Sequence, residues 1–456
     1  MSGRALLIER GQVVDGDGRA PFQASVLVED GRISALGAEA DARAGRLPDL
    51  DRLDADGLTV MPGLIDAHCH LAFDDAASNA EIFHHRRHGL TALVAAYNAR
   101  KLLRAGVTGI LDPDSSFETM IDLRDAIEAG VMPGPRMACG AYALITAVGG
   151  TAGRLIADEG VTGYYKSVNG RDEIVGEIRR QAKHGADWIK VHVTGIVPRL
   201  AHKGELCVWT AEELKLICDT AHDLGIPVMG HCRGAEATRR AALAGFDLLF
   251  HATLMDERAL EAVVQRKVPI APTLTLQANM VDFGEKLGTS ASLVDLFKRE
   301  ITDSAETLAA AYRAGVPLLA GSEAGFSLVP YGDWHYREME VFVRYLGLTP
   351  LEAIACATRE GARALKLEGE VGVVAPGFRA DLICVAGDPA RDPACLGEPG
   401  AVRHVFIDGR PQDLSLPPPR RPIPGWRLAS MGRRLTREIA GPRPPAEEPF
   451  EVEELH

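Results

Sequence analysis

Basic charge, paired cysteines, long apolar runs and aromatic rings are all scarce in this sequence. Lys and Arg number 50 against 63 Asp and Glu, a formal net charge of −13. That balance argues against a general binder of nucleic acid or of an anionic membrane. The eight cysteines (69, 139, 207, 218, 232, 356, 384, 395) include no CxxC pair. They suit reduced thiols in a cytoplasmic enzyme better than a disulfide framework or a zinc ribbon. No stretch approaches the ~18 apolar residues that a membrane span needs. The opening MSGRALLIERGQVVDG lacks the apolar segment of a signal peptide, so a cytoplasmic protein is expected. Aromatic residues make up only 5% of the chain, so a local cluster of them calls for an explanation.

What is present is ordinary globular material: 456 residues, 46% hydrophobic and 25% charged. That length supports a sizeable core and suits one large domain with an appendage. Residues 1–61 read as short strands punctuated by Asp-Gly turns. Residues 367–412 read the same way, in GEVGVVAPGFRADLICVAGDP and AVRHVFIDGRPQ. A small β-sandwich formed from these N- and C-terminal segments is the economical expectation. Between them, eight short apolar segments begin at residues 63, 108, 136, 188, 226, 246, 268 and 316. Most are followed by helix-period patterns ending in glycine. The alternation implies an α/β fold with a parallel sheet, and the count points to a TIM (β/α)8 barrel over residues 62–366. A doubly wound open sheet is the alternative that alternation alone does not separate. The Pro-rich tail, 413–456, is expected on the surface.

The first segment runs into PGLIDAHCHL. Residues i and i+2 of a strand share a face, so His68 and His70 can converge on one point. In barrels of this class function collects at the C-terminal strand ends. Those ends add Lys190 in WIKVHV, His231 in HCRG, His251 in FHA and Glu323 in AGSEAG. An unpaired ammonium inside an apolar strand is costly, so Lys190 must be paired, deprotonated or modified.

Together these motifs resemble the amidohydrolase superfamily, with the nearer likeness to its imidazolonepropionase-like and Xaa-Pro-dipeptidase-like members, over roughly residues 5–410. The resemblance implies a binuclear centre. His68 and His70 would hold the buried metal, Lys190 would be carboxylated and bridge both ions, and His231 and His251 would bind the second. Zinc suits these ligands, with manganese, cobalt or iron also open. A metal-bridging hydroxide would be the nucleophile, and the strand-8 acid would carry the proton to the leaving nitrogen.

Two departures stand out. The usual strand-8 aspartate is replaced by Glu323, which is expected to keep both ligation and proton transfer. The glycine-rich loop after the third strand, ITAVGGTAG, lacks the histidine that related enzymes often carry. His192, on the same strand face as Lys190, and Tyr142 are the candidates to replace it. Mononuclear deaminases usually place a glutamate three residues after the strand-5 histidine. Here that residue is Gly234, which disfavours deamination.

The stretch GFSLVPYGDWHYRE concentrates Phe326, Tyr331, Trp334, His335 and Tyr336. It offers Tyr331, Trp334 and His335, with Tyr142, as lining for an aromatic or bulky apolar substrate group. Lys166 is a candidate anchor for a substrate carboxylate. The reaction expected is hydrolysis of an amide, carbamate, urea or N-acyl amino acid in a small molecule, on a carbon–nitrogen bond other than a peptide bond. An Xaa-Pro-type dipeptidase and a lactone or cyclic-amide hydrolase are the neighbouring alternatives. A non-catalytic binding or scaffold relative is the alternative of a different class. A homo-oligomer is expected by analogy alone.

Overall fold

The computed structural model describes residues 5–76, 87–116, 118–150, 163–195, 205–415 and 435–441. Both chain ends meet in one eight-stranded sheet. Ala5–Val13 pairs antiparallel with Phe22–Glu29, which turns back into Arg32–Leu36 across Asp30-Gly31. Both turn residues have positive φ, 50° and 80°, which matches the twist of a two-residue hairpin. The same device, Asp408-Gly409 with φ 49° and 68°, closes the hairpin between Val402–Ile407 and Arg410–Pro411. Leu58–Pro62 joins the two ends, parallel to Ala5–Val13 and antiparallel to Leu382–Ala386. Ile8, Val26, Val60, Leu382 and Phe406 pack together on this sheet.

The middle of the chain is parallel. Leu64–Asp66, Val107–Asp112 and Arg136–Cys139 form a three-stranded sheet. The second sheet contains Ala143–Ile145, Tyr165–Ser167, Ile189–His192, Val228–Arg233, Leu248–Thr253 and Ile270–Ala271. The unbroken burial of Ile189–His192 and Leu248–Thr253 is the mark of parallel strands covered on both faces. The intervening helices bury one stripe each. In Ala211–His222 this is Leu214, Ile217, Cys218 and Ala221, behind a capping box of Thr210 and Glu213.

The two parallel sheets are linked at two places. The Cys139 carbonyl accepts from the Asp187 amide at 2.9 Å. Residues 318–324 lie between Ile270 and the first strand: Leu319 N donates to Ile270 O, and Ala67 N to Ala320 O. Three expected strands differ in detail. Residues 136–144 are split into two short strands. The 268–276 segment is regular only at Ile270–Ala271, because Thr273 turns the chain with φ 54° into the helix Thr275–Phe283. The 316–325 segment makes only isolated bridges, because Glu323 and Gly325 at φ 57° and 127° interrupt a regular ladder.

Part of the C-terminal tail is internal rather than superficial, since Leu435 and Ala440 are buried. Trp426, the tail tryptophan, lies outside the described residues. Among the described residues, no helix is long and apolar enough to cross a membrane.

Candidate metal centre

The site is built where the parallel strands end. His68 and His70 follow Leu64–Asp66, and their Nε2 atoms lie 3.0 Å apart. The chain that bears them is pinned from below. Asp66 accepts from the backbone N–H of His68 at 3.1 Å and of Ser322 at 2.9 Å, from the Ser322 hydroxyl, and from His335 Nδ1 at 2.7 Å. The Tyr331 hydroxyl donates to the His70 carbonyl and accepts from Asp74 N at 2.9 Å. Gly321 allows close approach from the other side: a Cβ there would stand 2.9 Å from the Cβ of His68. Glu323 N then donates to His68 O at 2.7 Å. His68, His70 and Glu323 together form a buried ligand set whose ligand atoms lie within 4.8 Å of one another.

His251 and His231 complete the ring of imidazoles. The Thr273 hydroxyl donates to Pro272 O at 2.7 Å, so its oxygen must accept from His251 Nδ1 at 2.5 Å. That fixes the tautomer and leaves Nε2 with its lone pair. This buried Nε2 has no hydrogen-bond partner among the described residues, and neither has Glu323 Oε2. His231 Nε2 lies 3.0 Å from Glu205 Oε2. Its ring sits 4.5 Å from His251 and stacks on His192 at 5.0 Å. Lys190 is buried, with Nζ 4.2 Å over the Phe250 ring and 3.4 Å from Asp114 Oδ2. Asp114 also approaches His70 Nδ1 at 3.2 Å and His192 Nε2 at 3.4 Å.

Electrostatics keep these groups ready to coordinate. Burial, then the charge of Lys190, holds His68 well below the ordinary imidazole range. Burial, then Arg233, does the same for His251, and burial pushes His192 down to about 4. Burial also lowers Lys190 and raises Glu323. Burial pushes Asp114 up, but Lys190 and His70 outweigh it and hold the carboxyl well below its usual range. Metal ions bind neutral imidazole and carboxylate, so the donors here fit a divalent ion of the zinc type. The backbone carries the cost: His251, Thr273 and Glu323 all have positive φ, at 67°, 54° and 57°. Such strain in non-glycine residues clusters at functional sites.

Not every candidate gathers here. His68, His70, Lys190, His192, His231, His251 and Glu323 come together, but the aromatic stretch after Glu323 mostly faces inward. Trp334 is buried, with Nε1 donating to Leu435 O at 2.8 Å. His335 holds Asp66 and accepts from Gly332 N at 3.0 Å, and Tyr331 braces the His70 backbone. These three are framework rather than pocket lining, because each polar atom is already engaged. Tyr142 lies 5.7 Å from the Arg180 guanidinium, on the helix side, and Lys166 is exposed. Phe326 does approach the site, packing edge-on against Phe73 at 5.5 Å. Phe73 in turn stacks on His70 at 4.1 Å and meets Tyr164 at 5.0 Å.

Sequence reasoning missed Asp66, Asp114, Glu205 and Thr273. Asp66 shares the two-residue spacing of His68 and His70, and Asp114 follows a strand in ILDPD, so both carried a signal. Glu205 and Thr273 carried none.

The chain matches the amidohydrolase family over residues 59–411. It is 26% identical over 429 residues to ochratoxinase of Aspergillus niger, covering 89% of this chain and 86% of that one. To imidazolonepropionase of Klebsiella pneumoniae it is 26% identical over 401 residues, covering 78% and 84%. The crystal structure of an Xaa-Pro dipeptidase with bound methionine in the active site superposes with a TM-score of 0.75 at 29% identity, covering 90% of this chain and 100% of that one. These neighbours imply an α/β fold of the TIM-barrel type. A family match across residues 59–411, with a solved relative superposing over nine-tenths of the chain, makes this protein a member of the amidohydrolase family.

Proposed function

We propose that this protein is a metal-dependent hydrolase that cleaves a carbon–nitrogen bond in a small molecule: an amide, carbamate, urea or N-acyl amino acid. The observation that carries this reading is that two buried atoms, His251 Nε2 and Glu323 Oε2, have no hydrogen-bond partner among the described residues, beside converging His68 and His70. Buried polar atoms left without partners are rare and call for a missing one. His68, His70 and Glu323 would hold one divalent ion. His231, His251 and a carboxylated Lys190 would hold a second, with Lys190 also reaching the first. Zinc is the ion that best suits these donors.

When bound, such ions polarise a carbonyl and bring the pKa of water towards ~7. The chain's own contribution is positioning and proton transfer. Among the described residues Glu323 Oε2 has no hydrogen-bond partner, and burial raises its proton affinity. Both properties suit a group that takes a proton from water and delivers it to the leaving nitrogen. His192, neutral at working pH, is the nearest candidate to hold the substrate from the strand-4 side. Phe73, Tyr164 and Phe326 form an aromatic wall next to His70, which suits a substrate with an aromatic or bulky apolar group.

An Xaa-Pro-type dipeptidase is the second reading, favoured by the 29% identical structure of that name. One assay separates the two. The zinc-loaded full chain is offered N-acyl amino acids, aryl carbamates, aryl ureas and Xaa-Pro dipeptides, before and after removal of metal with a chelator. Metal-dependent turnover of one of the first three classes is expected. Turnover of dipeptides alone selects the second reading, and turnover that survives complete metal removal rejects both.

A further inference from the structure

Glu205 belongs to no helix or strand, yet its position is tightly specified. Glu205 N donates to Arg233 O at 2.9 Å, Gly195 N to Leu206 O at 3.3 Å, and Val208 N to Val193 O at 3.0 Å. Trp209 Nε1 donates to His192 O at 2.8 Å. The segment 205–209 is therefore tied to the ends of the two strands that carry Lys190, His192 and His231.

That frame presents the Glu205 carboxylate to His231. Oε2 lies 3.0 Å from His231 Nε2 and accepts from the Thr194 hydroxyl at 2.8 Å. Thr194 Oγ1 itself accepts from Arg233 N at 3.1 Å, which directs its single proton to Glu205. An ionised carboxylate only accepts. Oε2, already the acceptor for Thr194, accepts from His231 Nε2 as well, so a ring that binds a metal while keeping this bond would coordinate through Nδ1. His251 is fixed in the opposite sense, with Nδ1 engaged by Thr273 and Nε2 presented. The two histidines thus offer different ring nitrogens, each set by its neighbour.

We infer that Glu205 is a positioning residue of the second metal position: by holding Nε2–H of His231 it selects Nδ1 as the coordinating atom and fixes the ring. The inference rests on the metal-dependent reading above but concerns a residue outside its ligand set.

The test is zinc affinity, measured by chelator competition on the full chain, with the melting temperature of the metal-free protein recorded alongside. In Glu205→Ala the second zinc should bind 10–100-fold more weakly, about the loss seen when such outer partners are removed. The metal-free melting temperature should stay close to that of the wild type. Glu205→Gln keeps the volume and an acceptor oxygen but not the charge or the tautomer lock. It should fall between the two, weakened about tenfold, and it decides the matter if the alanine variant does not fold. A packing role predicts the reverse pattern, a lower metal-free melting temperature with zinc affinity unchanged, and that result overturns the inference. A wild-type chain that binds one zinc, unaffected by either change, overturns it as well. A wild type that binds no zinc overturns the metal-dependent reading together with this one.

Discussion

Asp66 and Glu323 are both buried carboxylates on neighbouring segments, each in contact with the backbone that bears His68. Around Asp66 the polar atoms are all engaged. Four donors reach its two oxygens, and His335 holds one of them while accepting from Gly332. Around Glu323 the polar atoms are not all engaged: its Oε2 and the Nε2 of His251 have no partner among the described residues. A saturated buried network fixes geometry, whereas an unsaturated one is stable only when something else completes it. The same pair of residue types, histidine with carboxylate, therefore serves as framework in one place and as candidate chemistry in the other. Residue type alone does not distinguish them; the count of unmet hydrogen bonds does.

Substitutions on the two sides should separate cleanly. Glu323→Gln keeps size and loses the proton carrier, so hydrolysis should fall by about 10²–10⁴-fold, the usual contribution of a positioned acid–base group. Its effect on unfolding of the metal-free protein by denaturant should be small, because Oε2 has no hydrogen-bond partner among the described residues to lose. Asp66→Ala should do the opposite first. Removing one partner from a buried, hydrogen-bonded network costs about 3–5 kcal/mol, readable as a lower denaturation midpoint, with activity lost only as a consequence. Equal stability losses in the two variants would erase the distinction.

Thr273→Val sits between the two sides. It removes the acceptor for His251 Nδ1–H, so zinc affinity measured with a competing chelator should drop about tenfold. Stability should fall by about 1 kcal/mol. The smallest effect belongs to the aromatic stretch. Trp334→Phe removes the bond to Leu435 and should cost about 0.5–1.5 kcal/mol in thermal or chemical unfolding. The substrate profile should be unchanged, and a shift in substrate preference would return Trp334 to the pocket.

The contrast also explains what the sequence made legible. Apolar runs named the parallel strands, Asp-Gly turns named both hairpins of the terminal sheet, and two-residue spacing named His68 and His70. These signals are all local to one element. Residues 268–276 and 316–325 have strand-like composition, but the turns at Thr273 and Glu323 place candidate site side chains and break the ladder. Glu205 and Thr273 act across 26 and 22 residues of chain, and no spacing rule reaches them. The stretch GFSLVPYGDWHYRE named a cluster of rings correctly, but not which way they face. Burial beneath Leu435 and engagement with Asp66 are decided by elements distant in the chain.

The central claim is that the unmet atoms around Glu323 and His251 belong to a metal centre. The most direct test is the number of divalent ions bound per chain in the purified wild type and in His70→Ala. The account predicts bound zinc or a similar ion in the wild type, and a clear loss in the variant with the fold intact. A wild-type chain that binds no divalent ion, or a variant that retains the full complement, would contradict it.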